Sequence, residues 1–169
     1  NSAGGWATLN DSEPMPIFKA ELKDVIVDLG LSPLANNYLS SSQIGHMSPF
    51  YPLSLKICRD CLLVQLDDVE SPENLFTEYP YFSSYSNTRP EHYKNYSDKM
   101  EKRFGLGPKS HVVEIASNDG CLLQYFKKKN ISVLGVEPAA NVAAVAIKEG
   151  IPTFVKFFGC ETAKILAAN

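Results

Sequence analysis

The chain has 169 residues, 44% of them hydrophobic and 21% charged, with a formal net charge of −3 from 16 basic and 19 acidic side chains. That balance belongs to a folded globular chain and excludes wholesale disorder and fibrous repeats. A pI of about 5.6 gives no general electrostatic reason to bind nucleic acid or an anionic membrane, and no apolar run approaches the roughly 20 residues needed to span a bilayer. The expected setting is cytoplasmic.

Residues 1–14, NSAGGWATLNDSEP, read as a flexible lead-in rich in turn formers. The first residue is Asn1 rather than Met, so something has been removed or the chain is part of a longer one. The run KDVIVDL, Lys23 to Leu29, has the β-branched content of a strand and is expected to stop at Gly30. After a polar loop, YPLSLKICRDCLLVQL (Tyr51 to Leu66) predicts two strands folded about a turn from Cys58 to Cys61. The other cysteines, Cys121 and Cys160, have no local partner. One Cys-x-x-Cys is no disulfide framework, which suits a reducing compartment.

The tract SPENLFTEYPYFSSYS, Ser71 to Ser86, is dense in aromatic and turn residues. A helix is predicted to start after Asn87 or Thr88, with Pro90 in its first turn and Tyr93, Tyr96, Met100 and Phe104 near helical spacing, ending at Gly105 and Gly107. From Ser110 the rhythm becomes strand, helix, strand, helix, strand, helix: SHVVEIA, CLLQYFKKK, ISVLGVE, AANVAAVAIKE, TFVKF and CETAKILAA. Apolar strands alternating with helices describe a parallel sheet built from βαβ crossovers. The expected fold class is therefore α/β, with a small β-rich module at 15–86, a connecting helix at 87–107, and the start of a Rossmann-like domain at 108–169.

The first of these strands delivers its end to the loop Ser117-Asn118-Asp119-Gly120, and the next residues open a helix. Gly120 lets the backbone approach a ligand, while Ser117 or Asp119 can cap the helix or meet ligand groups. Glycines are too sparse here for the G-x-G-x-x-G of dinucleotide binders, and an acidic loop repels a pyrophosphate. It suits a ligand with a cationic ammonium group, such as S-adenosylmethionine. Glu137 ends the second strand, 18 residues after Asp119, where an acidic side chain can accept hydrogen bonds from ribose hydroxyls. Each residue alone reads as a helix cap or a strand end; the spaced pair reads as two halves of a nucleoside site.

VVEIASNDGCLL followed by VLGVEPAANVA resembles the S-adenosylmethionine-dependent C-methyltransferases that act on nucleotide-linked deoxysugars. The likeness extends upstream through VDLGLSPLANNYL, YPLSLKICRDCLLVQL, PENLFTEYPYFSSYS and EHY, covering about Lys23 to Phe158. It implies an N-terminal zinc-binding β module, a Rossmann methyltransferase domain and a further C-terminal domain. It implies cofactor contacts at Glu114, Ala116, Ser117, Asn118, Asp119, Gly120, Glu137 and Pro138. It also implies a catalytic tyrosine, Tyr81 ahead of Tyr79, with Tyr79 and His92 facing the substrate, a nucleotide-linked keto-deoxysugar. Against these roles stand the blander readings, in which the tyrosines are packing rings and His92 is a helix-surface residue or sits in a satisfied hydrogen bond.

The chain departs from that family in two places. Its zinc module is degenerate: Cys58 and Cys61 supply half a metal site, but Met15 and Phe18 stand where two further thiolates are implied, and tetrahedral structural zinc needs four donors. His46 is the one nearby candidate for a third ligand, and otherwise Cys58 and Cys61 are reduced thiols at a turn. The resemblance also implies strands beyond the third, so the expected state is a fragment, catalytically inert by itself, whose exposed first-strand edge is a template for self-association. A non-catalytic binding module that keeps the fold is the alternative. Lys127, Lys128 and Lys129 close the helix after the loop, where positive charge complements its C-terminus, and carry no nucleic-acid role.

Overall fold

A computed structural model describes residues 22–67, 70–76, 79–85 and 88–168; Met15 and Phe18, and with them the lead-in, lie outside the described residues. The chain divides into two compact units between Leu75 and Phe76. The fold is mixed α/β: an antiparallel sheet in the first unit, a parallel one in the second.

The first unit is a three-stranded sheet, β1 (Asp24–Ser32), β2 (Tyr51–Ile57) and β3 (Val64–Leu66), with β2 in the middle. Asp24 lies opposite Ile57 and Ser32 opposite Tyr51, so the two long strands pair along their whole length. The strand was expected to stop at Gly30, yet β1 continues through it. Gly30 takes φ +76°, its N–H donates to Asp28 Oδ1 at 2.8 Å, and the pairing register shifts between Asp28 and Leu31. A glycine that ends a strand and one that forms a bulge look alike in sequence. The turn after β2 is closed by Cys58 N–H to the Leu63 carbonyl and Leu62 N–H to the Cys58 carbonyl, with Leu62 left-handed at φ 59°. The Arg59 guanidinium reaches back to Asp24 with two nitrogens.

In the second unit, α2 (Arg89–Phe104) begins with Pro90 in its first turn and ends on Gly105, whose left-handed φ of 61° lets its N–H cap the Glu101 carbonyl. The short α1 (Pro72–Phe76) precedes it in the chain. Strands β4 (His111–Ile115), β5 (Ser132–Val136) and β6 (Thr153–Phe154) are parallel and adjacent in that order, connected by α3 (Leu123–Lys127) and α4 (Ala140–Lys148), with α5 (Cys160–Ala167) last. Five consecutive pairs, His111 with Ser132 through Ile115 with Val136, fix the β4–β5 register. The core is Leu123, Phe126, Ile131, Val133, Ala146 and Ile151, with Met100, Leu106, Val112 and Leu122 packed against it. Helix α2 is tied down by Lys129, whose ammonium binds Asp98 at 2.6 Å and Glu101 at 2.7 Å. Lys129, then Lys94, hold the Asp98 carboxyl below its ordinary range.

Two glycines are required by close packing. A Cβ on Gly120 (φ +75°) would lie 3.0 Å from Ile151 and 3.3 Å from Ala146, and one on Gly135 would run into the Ser117 side chain. Gly120 is thus needed for packing, because a side chain there would meet Ile151 and Ala146. Among the described residues no helix is long and apolar enough to cross a membrane.

Candidate functional site

Because β4 and β5 are parallel neighbours, the loops that follow them emerge at the same end of the sheet. The strand ends are stitched: Ala116 N–H and Ser117 N–H both donate to the Val136 carbonyl, at 2.8 and 3.3 Å, and Glu137 N–H donates to the Phe154 carbonyl at 3.1 Å. Glu137 then joins the two loops. Its Oε2 accepts the Asn118 N–H at 2.8 Å and its Oε1 the Ala139 N–H at 2.9 Å. With 6% of its surface exposed, it is a buried carboxylate engaged at both oxygens, and each oxygen keeps one lone pair for a further donor.

Asp119 is similarly buried. Its Oδ1 accepts the Cys121 N–H at 3.3 Å and its Oδ2 the Ser84 N–H at 2.9 Å, so it folds the loop against itself and does not cap α3 as a side-chain N-cap. Ser117, 3% exposed, has a buried hydroxyl with no partner among the described residues, and so has Oε2 of the half-buried Glu114. Burial, then the charges of Asp119 and Glu137, push the Glu114 carboxyl up to about 7. Burial and Asp119 likewise raise the Cys121 thiol. Ala116 and Asn118 flank Ser117 in left-handed conformations, φ 58° and 51°. Pro138, half-buried, lies between Glu137 and the buried Ala139.

The tract Tyr79 to Tyr85 lies against these loops. Asn118 Nδ2 donates to the Tyr81 carbonyl at 3.0 Å and its Oδ1 accepts the Ser83 N–H at 2.8 Å. The Asn141 amide bonds both main-chain groups of Tyr79, at 3.1 and 2.8 Å. The rings of Tyr79 and Tyr81 meet edge to face at 6.5 Å, and the Arg89 guanidinium sits 4.9 Å from the Tyr81 ring centre. Asn141 and Arg89 were not foreseen; the only sequence signal was a carboxamide just after V-E-P-A-A and a cation opening α2. His92 is exposed on α2 with its ring 5.9 Å from Tyr93. The structure thus brings together Tyr79, Tyr81, Asn118, Asp119 and Glu137, and no contact of His92 with them is seen.

A nucleoside cofactor with a cationic amino acid end fits this mouth: buried carboxylates at Glu114, Asp119 and Glu137, with two orphaned polar atoms, supply acceptors for ammonium and hydroxyl groups. Zinc does not fit the described donor set. Cys58 is fully buried and the N–H groups of Cys61 and Asp60 lower its thiol, a thiolate-stabilising turn. Yet no group of three or more His, Cys, Asp or Glu gathers to hold a metal among the described residues, and His46 is exposed.

Residues 19–76 match the family described as "Putative zinc binding domain". C-methyltransferase NovU of Streptomyces niveus is 34% identical over 144 residues, covering 85% of this chain and 34% of that protein. The chain therefore spans about a third of the length of this curated relative. With these matches added to the ordered motifs, the chain is similar to a C-methyltransferase over most of its own length.

Proposed function

We propose that this chain carries the cofactor-binding part of an S-adenosylmethionine-dependent C-methyltransferase acting on a carbon next to a ketone in a nucleotide-linked deoxysugar, in the cytoplasm. The observation that carries the reading is the joining of the β4 and β5 loops by Glu137, which sets two acidic loops at one end of a parallel sheet. Residues 108–169 are then the N-terminal half of a Rossmann-type methyltransferase domain.

When bound, the cofactor supplies an electrophilic methyl group. Glu114 and Asp119 would neutralise its ammonium end, Glu137 would accept ribose hydroxyls on its remaining lone pairs, and Ala116, Ser117, Asn118, Gly120 and Pro138 would form the walls. Tyr81, with Tyr79 beside it, would donate a hydrogen bond to the sugar carbonyl and hold the enolate charge that develops as the adjacent carbon loses its proton. No base for that proton is assigned among the described residues. The edge of β4 that is unpaired among the described residues would take a second copy of the chain in the absence of another covering strand.

Isothermal titration with S-adenosylhomocysteine tests the assignment. The wild type is expected to bind; E137A and E114Q are expected to bind at least tenfold more weakly. Equal affinity of a folded E137A and the wild type removes the ribose contact, and no binding to wild type removes the cofactor reading for this chain.

A further inference from the structure

The segment Tyr79–Tyr85 is held in an unusual way. Apart from the short turn Ser83–Tyr85, where Tyr85 N–H meets the Phe82 carbonyl at 3.2 Å, it has no helix or strand of its own. Its main chain bonds instead to three side chains, Asn118 and Asp119 in the loop after β4 and Asn141 in the first turn of α4, 62 residues away for Asn141 and 35 for Asn118 and Asp119. Asn141 presents its amide oxygen to the Tyr79 N–H and its amide nitrogen to the Tyr79 carbonyl, doing for one residue what a neighbouring strand does. Asn118 bridges two residues, donating to the Tyr81 carbonyl and accepting from the Ser83 N–H.

From this geometry we infer that Asn141 and Asn118 are positioning residues that fix the main chain under Tyr79 and Tyr81, and so place the tyrosine pair over the mouth formed by the β4 and β5 loops. The assignment rests on the reading of that mouth as a cofactor site only for its functional meaning. A carboxamide is required at both positions because it carries a donor and an acceptor on one rigid plane. An ionised aspartate has the same shape and no donor, and would face the Tyr79 or Tyr81 carbonyl with a negative charge.

The same contacts define what moves with what. Asn118 is tied to Glu137 through its N–H and to Tyr81 through its amide, so the chain of bonds runs from Ala139 N–H through Glu137 and Asn118 to the tyrosine backbone. The Tyr81 ring is braced by Arg89 and Tyr79 and is still 38% exposed, which leaves its face toward solvent open to a substrate. The Asn118 side chain thus belongs to the aromatic segment, and of this residue only the main chain remains to line the cofactor.

Hydrogen exchange of this chain tests the inference without any ligand. In the wild type, the amides of Tyr79, Ser83 and Ser84 are expected to exchange at least tenfold more slowly than those of the exposed turn Ser41–Gln43; equal rates overturn the proposal, and no variant is needed for that result. In N141D and N118D at pH 7, exchange over 79–85 is expected to rise at least tenfold while β4 and β5 stay protected. At pH 4, where the introduced carboxyl regains a proton and with it a donor, the rates relative to wild type are expected to fall back. Folded variants within twofold of wild type at pH 7 refute the assignment, and an increase that does not reverse with pH refutes the donor–acceptor role.

Adding S-adenosylhomocysteine separates the two readings. Extra protection over 79–85 in wild type, lost in both variants, supports positioning over a cofactor mouth. An unchanged wild type, with the ligand-free contrast intact, sinks the cofactor reading and leaves the positioning role standing.

Discussion

The main-chain N–H of Asn118 donates to Oε2 of Glu137 at 2.8 Å, across the gap between two successive βα loops. The other carboxylate oxygen takes Ala139 N–H, so E137A leaves two buried donors without acceptors. The expected cost is about 2–4 kcal/mol of stability, with E137Q losing roughly half of that because its amide keeps one acceptor. Urea unfolding of the two variants checks it; equal midpoints would show that the clamp contributes nothing.

Glu114 gives stability a pH dependence of definite sign. Its carboxyl sits near 7 when folded, against an ordinary value of 4.5. Below the ordinary value both states are protonated and nothing is lost. As pH rises from 4.5 to about 7 the unfolded chain gives up its proton while the folded one keeps it, so stability falls, and the penalty is complete above 7. The full effect is at most about 3 kcal/mol. E114Q should flatten this slope and be the more stable protein at pH 8, which unfolding midpoints at pH 5 and 8 read directly.

Gly120 and Gly105 are both left-handed, but only Gly120 is crowded, by Ile151 and Ala146. G105A should cost about 1 kcal/mol from conformation alone, and G120A about 2–4 kcal/mol because packing strain adds to it. Calorimetric melting that ranks the two equally would remove the packing explanation.

Protein purified without chelators is expected to hold far less than one equivalent of zinc, with Cys58 and Cys61 present as reduced thiols. Elemental analysis decides this, and a stoichiometric result would mean that other donors complete the Cys58–Cys61 turn.

Val113 and Ile115 on β4 are 47% and 54% exposed beside a strand edge unpaired among the described residues. Concentration-dependent association is expected, and I115K should suppress it in sedimentation runs. Identical behaviour of the variant would place any association elsewhere.

The order of elements was legible because periodicity is a local property: α2 runs Arg89–Phe104 where Pro90 and Gly105 bracket it, and β4 and β5 lie where apolar runs meet turns. Strand β6, expected over Thr153 to Phe157, shrank to Thr153–Phe154 because a β-branched and aromatic run signals a strand without saying how many of its residues find a neighbour. The site was legible as chemistry and not as wiring. Residue type and spacing marked Asp119 and Glu137 as acidic groups on neighbouring loops. That both are occupied by main-chain N–H groups, and that Asn141 grips Tyr79, depends on partners dozens of residues distant, which no local pattern encodes.

Ala116 and Asn118 hold non-glycine residues in a backbone region that costs of order 1 kcal/mol each, and the surrounding bonds to Val136 and Glu137 keep them there. The loop is consequently shaped before any guest arrives. An incoming molecule has little entropy of loop ordering to overcome, so its arrival should follow simple one-step kinetics, with affinity differences among analogues expressed in how fast they leave.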